Sequence, residues 1–300
     1  MPFIRKIIKT NKPIKLFLLL MRSFNISQSQ AQKMIDTRKI YQNGKLITDK
    51  SAVVEGELEV VVFEPVTKGL EPIFETKDFV LYDKPSGIMV HPRNRNTHYT
   101  LIDEIRYRYG PQANIVHRID KETSGLVLAS TNKEAEKALK QMFEHKQIQK
   151  RYLALVRGNI EKQLVIEEPI ALNRDYSKIK LKVKIDPNGK YAKTIINPLK
   201  QFGSFTLVEA IPITGRQHQI RIHLFHVKHP ILGDPIYGPT TEDSIRYLDG
   251  LMDERERVVA TGAKRLMLHA HTVEFTYKDT QYKIVSNRDF LQEYLTSLTK

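Results

Sequence analysis

Two short apolar runs, Ile115-Val116 and Gly125 to Ala129, bracket the polar stretch His117-Arg118-Ile119-Asp120-Lys121-Glu122-Thr123. Runs this short, bounded by polar residues, read as strands, which makes the charged stretch a loop at the edge of a sheet. There its side chains can face a ligand while the strands hold them still. A salt-bridged surface loop would show the same pattern, and this stretch alone leaves the two open.

Further strand signals at Phe79 to Tyr82, Arg151 to Val156, Ser204 to Ile213, Leu266 to Phe275 and Tyr282 to Val285 place the loop in a larger sheet. From Lys133 to Lys146, residues Ala135, Ala138, Leu139, Met142 and Phe143 recur at the spacing of one buried helix face. A second helix is expected near Arg216, after Thr214-Gly215, and a last one carries Phe290, Leu291, Tyr294, Leu295 and Leu298. The lysine-rich region 159–200 reads as an extended hairpin. This mixture predicts an α+β domain built on a mixed, largely antiparallel sheet over residues 75–300.

Ahead of it, residues 13–64 read as a small α/β unit. A helix around Ile14 to Met21 precedes Ser27, placed to cap a second helix bearing Ala31, Met34 and Ile35, with Gln30 at the capping-box spacing. Asn43-Gly44 suits a tight turn with positive φ, and a strand from Leu58 to Phe63 closes the unit. Residues 1–12 read as an exposed basic arm, and 65–74 as a linker containing Pro65, Gly69 and Pro72.

Lys and Arg number 48 against 34 Asp and Glu, a formal charge of +14, so a polyanion is the expected partner and nucleic acid the first choice. With no cysteine, disulfides, thiolate metal sites and thiol nucleophiles are excluded, which suits a cytoplasmic protein. The N-terminal apolar run is only Leu16 to Met21 and Arg22 follows it, so neither a signal peptide nor a membrane span is expected.

Several chemistries lack their parts. His117-Arg118 invites comparison with a kinase catalytic loop, but Ile119 intervenes before the aspartate, and no Asp-Phe-Gly or glycine-rich strand accompanies it. Gly44-Lys45 is followed by leucine, unlike a Walker loop. The cluster His218, His223, His226, His229, His269 and His271 has neither zinc-site spacing nor a His-Glu-x-x-His helix, so no metal is expected.

Four separated segments together resemble the RluA family of pseudouridine synthases. They are Asp83-Lys84-Pro85-Ser86-Gly87-Ile88-Met89-Val90-His91-Pro92, the stretch His117 to Leu128, Lys150-Arg151-Tyr152-Leu153-Ala154-Leu155-Val156-Arg157-Gly158, and Thr214-Gly215-Arg216-Gln217-His218-Gln219-Ile220-Arg221-Ile222-His223. Leu232 to Gly238 and Arg265 to Ala270 follow in the same order. Residues 13–64 separately resemble the RNA-binding module named after the fourth ribosomal protein of the small subunit. Thr37-Arg38-Lys39 departs from it, standing where that module usually has a glycine.

The resemblance implies an isomerase that converts uridine in RNA to pseudouridine and needs no cofactor. Its essential aspartate falls on Asp120, which must be ionised whether it adds to the sugar, adds to the base or takes a ribose proton. Arg221 is the implied cation beside it. Tyr152 is implied to stack on the base and to be a candidate for removing the proton from carbon 5, with Ile220 on the other face. Arg118 is implied to fill the space that the flipped base vacates, with His117, Thr123, Lys84 and Arg216 supporting the loop or touching phosphate.

In the N-terminal unit, Lys33, Arg38, Lys39 and Lys45 are expected to line a phosphate-binding face. The 23S ribosomal RNA is the favoured substrate and transfer RNA the alternative, and a monomer is expected. Two competing readings are a non-catalytic ribosome-assembly factor and a nuclease. The joint presence of Asp120, Tyr152 and Arg221 speaks against the first, and the want of clustered carboxylates or a His pair against the second.

Overall fold

The computed structural model describes residues 2–173 and 183–298. Its first strand corrects the expectation of an exposed arm. Strand β1 (Phe3–Lys15) is followed by helices α1 (Leu16–Phe24) and α2 (Gln28–Asp36), strands β2 (Ile40–Gln42) and β3 (Lys45–Leu46), and β4 (Val53–Phe63). β1 pairs antiparallel with β4 from Phe3 opposite Phe63 to Lys15 opposite Val53, in a sheet ordered β1-β4-β2-β3. The physical reason is charge complementarity. Arg5 pairs with Glu59, Lys6 with Glu64 and Lys9 with Glu57, so glutamates along and just after β4 partner the basic residues of the supposed arm.

Within this unit the local signals hold. Gln30 donates its N–H to Ser27 Oγ at 3.3 Å while Ser27 donates its own to Gln30 Oε1 at 2.9 Å, closing the capping box. Asn43 and Gly44 take φ of 47° and 74° between β2 and β3. Leu16, Leu20, Ala31, Ile35, Ile40, Leu58 and Val60 form the unit's core.

The larger domain continues with β5 (Pro72–Glu75), β6 (Phe79–Lys84), α3 (Leu101–Tyr109), β7 (Asn114–Ile115), β8 (Ser124–Ser130), α4 (Lys133–Glu144) and β9 (Gln149–Arg157). Then come β10 (Leu164–Ile166), β11 (Ile170–Leu172), β12 (Val183–Ile185), β13 (Thr194–Phe202), β14 (Phe205–Pro212) and α5 (Gln219–His226). The chain closes with α6 (Thr241–Leu248), α7 (Glu254–Thr261), β15 (Leu268–Tyr277), β16 (Thr280–Val285) and α8 (Phe290–Leu298). Ten strands make one sheet ordered β10-β13-β14-β9-β15-β8-β6-β5, with β16 beside β15 and β7 beside β8. Its pairs are antiparallel except β15 with β8, which is the mixed, largely antiparallel α+β arrangement expected.

The central strands are unbroken apolar runs because both of their faces are buried. Val80, Tyr82, Val127 and Ala129 face one core with Ile102 and Ile105 of α3, while Phe79, Leu81, Leu126 and Leu128 face another with Ala135 and Leu139 of α4. Helix α3 therefore completes the layer that the contiguous run in β8 requires. At the parallel pair the backbones nearly touch. A Cβ on Gly125, whose φ is 108°, would meet Ala270 O at 2.3 Å, so only glycine fits there.

The expected linker is shorter than 65–74, because β5 already pairs with β6. It is also anchored: Thr67 Oγ1 and the Lys68 N–H both donate to the Glu104 carboxylate on α3. Arg95 ties the two units, donating to Thr37 O at 2.7 Å and Arg38 O at 2.6 Å. The region expected as a hairpin holds two antiparallel pairs, β10 with β13 and β11 with β12, and residues 174–182 of it lie outside the described residues.

Candidate active site

The loop after β7 is fixed from three sides. His117 Nε2 accepts the N–H of Leu128 at 3.0 Å, and the ring packs on Phe143 of α4 at 4.6 Å. Burial and nearby Lys150 push this imidazole down to about 3, so it stays a neutral acceptor and a strut for the loop. The Thr123 N–H donates to Asp120 O at 3.2 Å, closing the turn beneath the aspartate. Below it Lys84 is completely buried, with Nζ donating to Pro85 O at 2.9 Å and Lys121 O at 3.1 Å. That burial lowers Lys84 to about 7, and of the two roles expected for it, loop support or phosphate contact, its contacts are those of loop support.

A third brace comes from the helices after residue 239. Arg257 of α7 donates to Glu122 Oε2 at 2.8 Å and to Gly233 O at 3.0 Å, joining the loop that carries Asp120 to the loop that carries Asp234.

Arg221, on the first turn of α5, lies between those loops. Nε and Nη2 donate to the two oxygens of Asp234 at 2.7 and 2.8 Å, and Nη1 donates to Asp120 Oδ2 at 3.0 Å. Asp234 also accepts the N–H groups of Ile236 and Tyr237, so it is rigidly held. Burial works against the Arg221 charge, but Asp234 and Asp120 outweigh it and hold the guanidinium well above its ordinary range.

For Asp120, burial favours the neutral acid, yet protonated His218, Arg221 and Arg118 outweigh it and hold the carboxyl below its ordinary range. His218 is itself pushed down to about 4 by burial and Arg221. Near neutral pH the imidazole is therefore uncharged, and the arginines carry the effect.

His218 stands at the N-terminus of α5 with φ of 52°, a left-handed conformation uncommon outside glycine. Its Nδ1 lies 3.0 Å from the Tyr237 hydroxyl, whose oxygen accepts the Val183 N–H. With that hydroxyl donating to Nδ1, the imidazole proton sits on Nε2, 3.7 Å from Asp120 Oδ2.

Asp120, Tyr152, Ile220, Arg221, Arg118 and Thr123 all border one cavity of about 490 Å³, as do His117 and Arg216. Burial and the Asp120 charge push the Tyr152 phenol above its ordinary range, so it is neutral. Arg118 is exposed at the rim, and exposed Arg216 donates Nε to Tyr191 O at 2.9 Å.

The N-terminal residues Lys33, Arg38 and Lys45 are exposed, Lys39 is half-buried, and none of the four borders the cavity. The remaining histidines serve several ends. His223 Nε2 donates to Glu168 O and its Nδ1 faces Thr194 Oγ1, while His269 lies between Ser124 and Ser286. Sequence reasoning gave no role to Asp234 or Tyr237, and it placed His218 only within a cluster of histidines expected to hydrogen-bond within the domain or to touch RNA, not to hold a metal. The signal for the first two was their presence in the segment Leu232 to Gly238.

A model of the RNA pseudouridylate synthase family matches residues 78–226, which span the loop, Tyr152 and Arg221. An uncharacterised RNA pseudouridine synthase of Helicobacter pylori is 37% identical over 289 residues, covering 95% of this chain and 96% of the relative. Ribosomal large subunit pseudouridine synthase C of Vibrio cholerae is 32% identical over 231 residues, 76% of this chain and 68% of that protein. The structure of human RNA pseudouridylate synthase domain containing 1 aligns with a TM-score of 0.60 at 25% identity, over 77% of this chain and 89% of that one. Fold and site together define an isomerase acting on RNA. The chain belongs to the RNA pseudouridine synthase family. Among the described residues, no helix is long and apolar enough to cross a membrane.

Proposed function

We propose that this protein isomerises specific uridines of large-subunit ribosomal RNA, with Asp120 as the catalytic carboxylate. The observation that carries the assignment of roles is the position of Asp120: at the wall of the cavity, ionised, paired with Arg221, and sharing that cavity with Tyr152 and Ile220. Breaking the bond between ribose C1′ and uracil N1 and forming one from C1′ to C5 adds no atoms. A carboxylate that adds to sugar or base, or takes a ribose proton, must keep its charge in a partly dry pocket, and Arg221 provides for that.

Tyr152 and Ile220 offer the two faces between which a freed uracil can turn. The neutral phenol suits a late role. Asp120's charge is one of two effects that keep the hydroxyl protonated, and it is removed once the carboxylate is covalently attached or protonated. The last step moves the C5 proton off the ring: a water that the neutral phenol orients can take it directly, and Tyr152 itself can take it once its own proton has passed to solvent and left the phenolate. Exposed Arg118 at the rim suits filling the stack that the flipped base leaves.

The N-terminal unit, which we take to be an RNA-binding module, presents Lys33, Arg38 and Lys45 to solvent. The ribosomal target rests on what the Vibrio relative and the Nitrosomonas europaea ribosomal large subunit pseudouridine synthase D are named for, the latter 37% identical over 58% of this chain. A cytoplasmic monomer goes with this reading, since RNA supplies the large contact surface. The test is tritium release from RNA labelled at uracil C5, comparing wild type with Asp120→Asn on ribosomal and transfer RNA transcripts. Release by wild type alone, on ribosomal RNA, is expected. Release only from transfer RNA would redirect the target, and release by neither protein, with RNA still bound, would favour a non-catalytic binder.

A further inference from the structure

We propose that Lys150 holds the backbone phosphate beside the uridine that enters the cavity, an inference that rests on the cavity being the uridine site. Lys150 and Tyr152 are two residues apart on β9, so their side chains leave the same face of the sheet, and both border the cavity. The ammonium lies 5.3 Å from the ring centroid of Phe143, the ring on which neutral His117 also packs.

What sets Lys150 apart from Arg221, Lys84 and Arg257 is that, among the described residues, no oxygen accepts a hydrogen bond from its ammonium. Arg221 has Asp120 and Asp234, Lys84 has two carbonyl oxygens, and Arg257 has Glu122. Among the described residues no carboxylate pairs with Lys150, and burial alone drives its ammonium below the ordinary lysine range. Among the described residues two carboxylates border the cavity. Asp120 is bound to Arg221, and Glu144 is an exposed residue at the end of α4.

A half-buried cation on an aromatic ring, without an oxygen partner, is suited to a charged acceptor. The base itself offers only neutral carbonyls, whereas each nucleotide brings a phosphate that must pass the cavity mouth as the base goes in. Exposed Lys146 and Arg216 border the same cavity and add positive charge along that path.

Lys150→Met and Lys150→Arg, compared with wild type, test this by two readouts. One is RNA affinity against salt concentration, and the other is single-turnover tritium release against enzyme concentration. In Lys150→Met the log–log salt slope should fall by about 0.7, the value for one single-strand phosphate. Half-saturation should need about tenfold more enzyme, with the maximal rate nearly unchanged. Lys150→Arg should restore both.

An unchanged slope and half-saturation in Lys150→Met, or a loss confined to the maximal rate, overturns the proposal. If Lys150→Met fails to fold, Lys150→Gln is read by the same criteria. A wild type that binds RNA but releases no tritium would sink the reading of the reaction, while the salt slope would still decide whether Lys150 meets a phosphate.

Discussion

Asp234 grips Arg221 through two of its nitrogens, at 2.7 and 2.8 Å, and leaves a third to reach Asp120 at 3.0 Å. The cation beside Asp120, the proposed catalytic carboxylate, is therefore held in place without that carboxylate's help. A buried arginine that depended on Asp120 alone would be free to move whenever the carboxylate reacted.

Stability should accordingly respond very differently to the two aspartates. Asp120→Ala leaves Arg221 doubly bound, and urea unfolding should shift by no more than about 1 kcal/mol. Asp234→Ala leaves a buried guanidinium and the Ile236 and Tyr237 N–H groups without their acceptor, for an expected loss of about 3–5 kcal/mol. Equal losses for both variants would mean that Asp120 is part of the structural support.

Tyr152→Phe separates stacking from proton transfer. The ring is retained, so RNA affinity should stay near wild type, while tritium release slows about 100-fold or more. Tyr152→Leu should weaken binding as well, because the stacking surface goes with the ring. A Phe variant as fast as wild type would remove the hydroxyl from the mechanism.

Three histidines, His269 fully buried and His117 and His218 partly so, predict loss of stability in mild acid. His117 and His269 are pushed down to about 3 and His218 to about 4, each mainly by burial, whereas an unfolded histidine titrates near 6.5. Between these values the unfolded chain binds more protons than the folded one. Stability from these groups is therefore complete above about pH 6.5 and falls as the pH drops toward 4 to 3, by about 1.4 kcal/mol per pH unit for each histidine. Melting temperatures from pH 7.5 to 5 should decline, with a shallower slope in His117→Gln. A flat profile over this range would argue that the folded protein takes up protons at these sites as readily as the unfolded chain.

Gly125→Ala should unfold the site from beneath. The new Cβ would collide with Ala270 O, and the φ of 108° is strained for any side chain, so about 3 kcal/mol or more should be lost. Thermal melting reads this directly. A variant within 1 °C of wild type would show that β8 and β15 can separate at little cost.

Much of the local structure was legible in the chain because it depends on neighbours in sequence. The Ser27 to Gln30 capping box, the Asn43-Gly44 turn and the buried face of α4 involve residues only a few positions apart. Asp120, Tyr152, Arg221 and Ile220 were found through ordered motifs, and they meet in one cavity. The N-terminal residues were misread because the glutamates that partner Arg5, Lys6 and Lys9 lie more than 45 positions away. Charge in a sequence does not reveal its own partners.

The sequence by itself determined the strands that flank the loop at 117–123, the residues that loop carries, and the chemistry to which they are suited. Only the tertiary structure decided which cations are free. Lys84 and Lys150 are both lysines in motif segments at one site, yet one lies beneath the loop against backbone carbonyls and the other borders the cavity with no oxygen partner among the described residues. Burial, geometry and the position of the nearest carboxylate set the cost and the use of a charge, and those belong to the packed chain.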